Sequence, residues 1–226
     1  MKRPSMPYAG QKRNAIPELY GMAFRKSKGR SLVTEKTAPR RMRSDAQRNL
    51  GSLLEAAKTV FAGSGVDAPA KEIADLAGVG VGTLYRHYPL RSDLVKAVFQ
   101  REVDACADAA PALTAEHEPV VALAKWLDRF TEFVATKRGL ASALHSGDPA
   151  FDALPDYFMQ RLGPALGGLL EAAAAAGEIR ADISPKDLLY AVSTLCMPLT
   201  DEGPTYSQRM VGLLVDGLRY GANTSR

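Results

Sequence analysis

The chain has 226 residues, 46% hydrophobic and 24% charged, with 19 Gly and 14 Pro, ordinary globular values that exclude collagen-like and fully disordered chains. The length sets an expectation of one or two domains. The formal charge of +4 divides unevenly, with 18 Lys and Arg against 8 Asp and Glu in residues 1–100, and 11 against 17 in residues 101–226. A protein that holds a polyanion at one end and does other work at the other has this division. Because 13 of the basic residues precede residue 51, a basic tail on a neutral protein fits the imbalance equally well.

No apolar run approaches the roughly 18–20 residues of a membrane span. The basic N-terminal stretch lacks the apolar core of a signal peptide, so a cytoplasmic location with no membrane partner is expected. Cys106 and Cys196 sit in apolar segments without CxxC spacing and read as buried thiols. His87, His117 and His145 form no metal-binding spacing. Neither a metal nor a cofactor is expected.

Residues 1–43 scatter Lys and Arg among Pro4, Pro7, Pro17 and Pro39 without hydrophobic period, which predicts a flexible basic arm. Folding signals are missing before Val33, so a translation start there is a further expectation. From Ser44 the pattern turns helical, with Leu50, Leu53, Leu54, Ala57, Val60 and Phe61 on one stripe. Ser44 and Gln47 have the spacing of a capping box, and Gly63 and Gly65 end the segment.

Pro69 to Ala77 predicts a short helix with Ile73, Leu76 and Ala77 inward. A turn at Gly78-Val79-Gly80 leads to a second short helix from Val81 to Tyr88, stopped by Pro89. Two short helices across a glycine turn, with polar residues exposed on the second, build a helix-turn-helix. The run Gly78 to Gly82 is not a dinucleotide loop, since a polar helix precedes it where a buried strand is required. Asp93 to Ala110 predicts a longer helix ending before Pro111, with Leu94, Val95, Val98, Phe99 and Val103 inward.

The run from Arg48 to Phe99 closely resembles the DNA-binding domain of TetR/AcrR-family transcriptional regulators. The resemblance rests on Lys71-Glu72-Ile73-Ala74-Asp75-Leu76-Ala77-Gly78-Val79, Gly82-Thr83-Leu84-Tyr85-Arg86-His87-Tyr88 and Arg91-Ser92-Asp93-Leu94-Val95. It implies an all-α fold. A three-helix helix-turn-helix domain (residues 44–92) would join a helical-bundle body for ligand binding and dimerisation (residues 93–226), in a typically homodimeric protein.

The N-terminal residues of a recognition helix reach base edges in the major groove, which here means Val81, Gly82 and Thr83. By resemblance, Tyr85 and His87 hold the phosphate backbone, Arg86 faces the groove and Leu84 is core. Simple packing is the alternative for Tyr85, and a plain surface position for His87. Arg41, Arg43, Arg48, Lys71 and Arg91 are phosphate candidates, the first two within reach of a minor groove, or else solvated cations.

In the acidic half, Val120, Leu123, Leu127, Phe130 and Val134 form one stripe after Pro119. Further helices are expected over Arg138–His145, over Asp156–Ala176 with a kink or split at Pro164, from Ser184-Pro185 onward, and over Tyr206–Tyr220. The Ser184 helix is apolar nearly all round, predicting burial on more than one side. The last helix aligns Met210, Leu213, Leu214, Gly217 and Leu218, and these two helices are expected to pair across a two-fold axis. Trp126, Phe130, Phe133, His145, Phe158, Met159, Leu162, Leu195 and Met197 are candidates for a small-molecule pocket, with ordinary core packing as the alternative.

The carboxylates are dispersed and no Ser or Cys has a base partner in sequence, so an enzyme is not expected. The reading is a homodimeric regulator, most simply a repressor, bound to a palindromic double-stranded operator and released by an unidentified small-molecule effector. Its rivals are a helical ligand-binding protein with only nonspecific nucleic-acid association, a helical enzyme using the pocket, and a redox sensor working through Cys106 or Cys196.

Overall fold

The computed structural model describes the backbone of residues 38–196 and 203–220, with side chains from Arg48 to Cys196 and from Thr205 to Tyr220. The described residues hold ten α-helices, one 3-10 turn and no strand. The expected basic arm lies outside the described residues as far as residue 37.

Helix α1 spans Ala38–Ser64, so it begins six residues before Ser44, which lies inside it rather than at its start. Pro39 does not prevent the early start, because the first turn of a helix needs no backbone N–H donors. Leu53, Ala56, Ala57, Val60 and Phe61 form its buried stripe, and the left-handed Gly65 (φ 78°) ends it.

Helix α2 (Ala70–Ala77) closes in a Schellman arrangement: the N–H of Gly78 donates to the Asp75 carbonyl and that of Val79 to the Ala74 carbonyl. Gly78 has φ 69°, where a side chain would be strained. The turn leads at once into α3 (Val81–His87), whose Thr83 N–H donates to the Gly80 carbonyl at 2.8 Å. Ile73, Ala74 and Leu84 are buried where the two helices meet. Leu76, expected inward, is 57% exposed.

Helix α4 (Arg91–Ala107) starts where the Asp93 carboxylate accepts from the Leu90 N–H. It stops before Asp108, and α5 (Ala109–Glu116) follows with Pro111 in its first turn. The proline therefore starts a helix here, for the same reason that Pro39 is tolerated in α1.

Helix α6 (Pro119–Gly139) carries the core. Val120, Leu123, Trp126, Leu127, Phe130 and Phe133 are all buried. The Glu178 carboxylate accepts from the Val120 N–H at 2.8 Å, placing an anion at the helix N-terminus. The expected helix over Arg138–His145 is divided: Arg138 and Gly139 finish α6, and α7 is only Ala141–Leu144. After a 3-10 turn at Pro149–Phe151, α8 (Leu154–Ala175) runs through Pro164 without splitting. Pro164 and Gln160 are both exposed, so the Gln160 carbonyl that loses its donor lies on the solvent side.

Helix α9 (Pro185–Leu195) is capped by the Ser184 hydroxyl, which accepts from the Asp187 N–H. It buries Leu188, Leu189 and Val192 but exposes Lys186, Asp187, Tyr190 and Thr194, so its burial is one-sided. Helix α10 (Gly203–Tyr220) buries Val211, Val215 and Leu218 and leaves Leu213 64% exposed. Of the expected stripe Leu218 is buried and Leu214 packs half-buried against the core; the fully buried stripe lies at the i, i+4 and i+7 positions from Val211.

The described residues from Pro39 onward belong to one compact unit in which α4, α6 and α8 pack on one another, with α9 and α10 outside them. The Trp126 indole N–H donates to the Cys106 carbonyl at 2.9 Å, joining α6 to α4. Arg161 of α8 reaches Asp104 at 2.6 Å and Asp108 at 2.7 Å, and the Tyr157 hydroxyl donates to Asp104 at 2.7 Å. Lys58 of α1 pairs with Glu102 of α4 at 2.7 Å, and Arg101 donates to the Gly51 carbonyl. Helix α4 is thus tied on one side to α1 and on the other to α8.

Candidate nucleic-acid interface and effector cavity

Helix α3 is short because its sequence leaves no room to extend: Gly80 precedes it and Pro89 follows the Tyr88 cap. Leu84 alone is buried and holds the helix to the domain. The other residues of α3 are exposed or, in one case, half-buried. Val81 is 42% and Tyr85 54% exposed, and Gly82, Arg86 and His87 are exposed, while Thr83 is half-buried. A Cβ built on Gly82 would meet nothing within 4 Å, so internal packing does not require glycine there.

The basic candidates separate. Arg41 and Arg43 belong to α1, but their side chains lie outside the described residues. Arg48 is exposed on the same helix. Lys71 is exposed at the start of α2 and pairs with Asp75 at 2.5 Å, one helical turn on. That carboxylate offsets the cost of a cation beside the positive end of the helix. Arg91 is engaged internally: its guanidinium donates to the Ala68 carbonyl and lies 5.8 Å above the Phe61 ring. It pins the first turn of α4 to the α1–α2 connection. Nothing in the sequence signals this, because Arg91 and Ala68 are 23 residues apart.

A cavity of about 250 Å³ opens between α4, the α6–α7 corner, α8 and α9. Phe99, Leu144, Phe151, Leu154, Phe158 and Met159 make most of its wall, together with Pro155, and its polar side chains are Lys137, His145, Tyr190 and Ser193. Of the nine pocket candidates, the structure brings His145, Phe158 and Met159 to this wall. Trp126, Phe130, Phe133 and Leu162 are buried behind it as core, Leu195 is half-buried away from the lining, and Met197 lies outside the described residues. Phe99 and Phe158 rest on the buried Phe133 at ring distances of 5.6 and 5.8 Å, so that ring backs the cavity without lining it. The His145 Nδ1 is 2.9 Å from the Ala141 carbonyl, which orients the ring and leaves Nε2 available.

Two routes connect this wall to the helix-turn-helix. One is α4, which contributes Phe99 to the cavity and Arg91 to the brace. The other is the end of α6. A Cβ built on Gly139 would stand 3.1 Å from both the Ala62 Cα and the Phe61 carbonyl, so glycine lets the α6 backbone lie directly on the end of α1. Lys137, two residues earlier, lines the cavity.

Both thiols are buried. Burial pushes Cys106 up to about 12, and it raises Cys196 as well.

Two family profiles match. Residues 53–98 match "Bacterial regulatory proteins, tetR family", and residues 118–220 match "Transcriptional regulator SbtR-like, C-terminal domain". The fold is similar to the crystal structure of a TetR transcriptional regulator from Streptomyces coelicolor, at 37% identity and a TM-score of 0.66, covering 75% of this chain and 97% of that one. It is similar also to a TetR transcription regulatory protein from Mycobacterium vanbaalenii, at 35% identity and a TM-score of 0.61, covering 79% and 99%. An HTH-type transcriptional regulator of Staphylococcus aureus is 42% identical over 64 residues, 28% of this chain. That match covers 35% of the relative, so the chain spans about a third of the length of the curated relatives it matches.

Proposed function

The chain belongs to the TetR family of transcriptional regulators and carries that family's DNA-binding helix-turn-helix, and from this premise we propose that it is a homodimeric repressor released from a palindromic operator by a small-molecule effector. The observation that carries the effector half is the position of the cavity. Its wall includes Phe99 of α4, and the first residue of that same helix is braced to the DNA-binding domain through Arg91.

In this reading Val81, Gly82, Thr83 and Arg86 meet base edges, and Tyr85, His87, Lys71 and Arg48 meet phosphates. Arg41 and Arg43 reach the backbone or the minor groove ahead of α1. Arg91 acts as the brace, with any phosphate contact secondary. Two copies bind because one α3 reads only a half-site. Their α3 helices must be matched to successive major grooves, roughly 34–36 Å apart. The exposed Leu213 and Tyr190 on α10 and α9 support pairing of those helices across the two-fold axis.

An effector that fits the cavity better when the two α3 helices are wrongly spaced weakens DNA binding by its differential affinity for the two states. Selection from a random duplex pool tests the DNA half: an enriched palindrome is expected. Equal affinity for all duplexes would overturn it in favour of nonspecific association.

A further inference from the structure

The walls of the cavity hold an asymmetry of charge. No Asp or Glu lines it; its polar side chains are Lys137, a cation, and His145, Tyr190 and Ser193, each able to donate a hydrogen bond. Among the described residues Lys137 has no carboxylate partner, although six ion pairs occur elsewhere on them. Lys137 and His145 enter from one corner, the end of α6 and the residue after α7. The rest of the wall is apolar, with the rings of Phe99, Phe151 and Phe158.

Size narrows the occupant further. A cavity of roughly 150 Å³ holds benzene, so about 250 Å³ accommodates one ring with a short substituent. A neutral hydrocarbon would gain nothing from Lys137 and His145, and an amine would meet Lys137 with like charge. A carboxylate on a short arm satisfies the corner while its ring fills the aromatic end.

We propose that the cavity binds a small aromatic monocarboxylate, with the carboxylate at Lys137 and His145 and the ring among Phe99, Phe151 and Phe158. This rests on the cavity being the effector site, but it concerns what binds rather than what binding does to DNA. Lys137 and His145 then discriminate the acid from its neutral isostere, because a charge-assisted hydrogen bond is stronger than a neutral one.

Calorimetric titration of the full chain at pH 7 with phenylacetate, phenylacetamide and 2-phenylethylamine tests it. Phenylacetate is expected to bind at least about tenfold more tightly than the amide, and the amine most weakly. Lys137→Met is expected to collapse the ratio of acid to amide affinity. Lys137 is exposed, so this variant keeps its fold, and its melting temperature verifies that. Met159→Trp fills the cavity and is expected to remove acid and amide binding together.

Equal binding of acid and amide, a ratio that Lys137→Met leaves unchanged, binding that survives Met159→Trp, or no binding of phenylacetate would each overturn the proposal. Release of the selected duplex is read separately. Phenylacetate that binds with the expected preference but leaves DNA affinity unchanged sustains the ligand class and overturns the effector reading. Release by the amide alone does the reverse.

Discussion

The helix-turn-helix and the α6–α8 body place their working residues on opposite sides of their cores. In α3 a single buried side chain, Leu84, anchors the helix, and the outward residues are the ones proposed to meet DNA. In the body the largest aromatics turn inward, and the cavity wall mixes buried side chains such as Phe99 and Phe151 with half-buried ones such as Phe158 and Met159. A DNA-reading surface has to be convex and solvent-exposed, whereas an effector site has to be a gap in packing. Residue size therefore points to function in neither region. Position relative to the core does.

Breaking the core on the body side should have the largest effect. Trp126→Ala removes a fully buried ring stacked on Phe130 together with the bond to the Cys106 carbonyl, and should cost about 3–5 kcal/mol in urea unfolding. A loss below about 1 kcal/mol would mean that Trp126 is not the packing centre described. On the other side of the comparison, Tyr85→Ala should leave stability within about 0.5 kcal/mol. Its affinity for a selected duplex should fall by about 1.5–3 kcal/mol if the hydroxyl holds a phosphate. Unchanged binding would return Tyr85 to the surface.

Gly139→Ala sharpens the junction between the regions. The added methyl meets the α1 backbone, and overpacking of this kind costs about 1–3 kcal/mol. A shift in DNA affinity together with the lowered melting temperature is expected, and an unchanged melting temperature would show that the contact yields freely. Arg91→Met loses the Ala68 bond and the Phe61 contact, for about 1 kcal/mol of stability. The salt slope of DNA binding should stay as in the parent, because a lost phosphate contact would lower it by about 0.9.

The smallest expected effect is on the thiols. Cys106 keeps its proton until about pH 12, so it should resist a thiol reagent at neutral pH until the chain unfolds. Operator binding insensitive to dithiothreitol is the matching expectation, and rapid labelling of the folded protein would revive the redox-sensor reading. The sign of the linkage follows. The folded state holds a proton that the unfolded thiol loses near its ordinary value of 9.0, so this contribution is complete below that pH and declines as the pH rises above it.

Where sequence and structure part company, the cause is a neighbour distant in sequence. Pro111 reads as a stop and Pro164 as a kink or split, yet one opens α5 and the other sits inside an unsplit α8, because a missing donor matters only where its acceptor has no other partner. Leu76 fits the inward face of α2 by spacing and is exposed, since α3 covers only Ile73 and Ala74. The nine pocket candidates share size and apolarity, and only packing separates the three on the wall from the four buried behind it. Phe151 and Tyr190, which do line the cavity, are not among those candidates: Phe151 stands on the 3-10 turn and Tyr190 on the exposed side of α9.

By itself the sequence determined the helix-turn-helix: the Gly78 turn, Leu84 as anchor, the outward Val81, Tyr85 and Arg86, and the Pro89 stop. All of these depend on interactions within a few residues, where spacing and residue type settle geometry. The tertiary structure alone decided that Arg91 is held by Ala68, that Gly139 lies on α1, and that a donor-lined cavity opens beside Phe158. Each of these is a meeting of segments more than twenty residues apart, set by how whole helices pack.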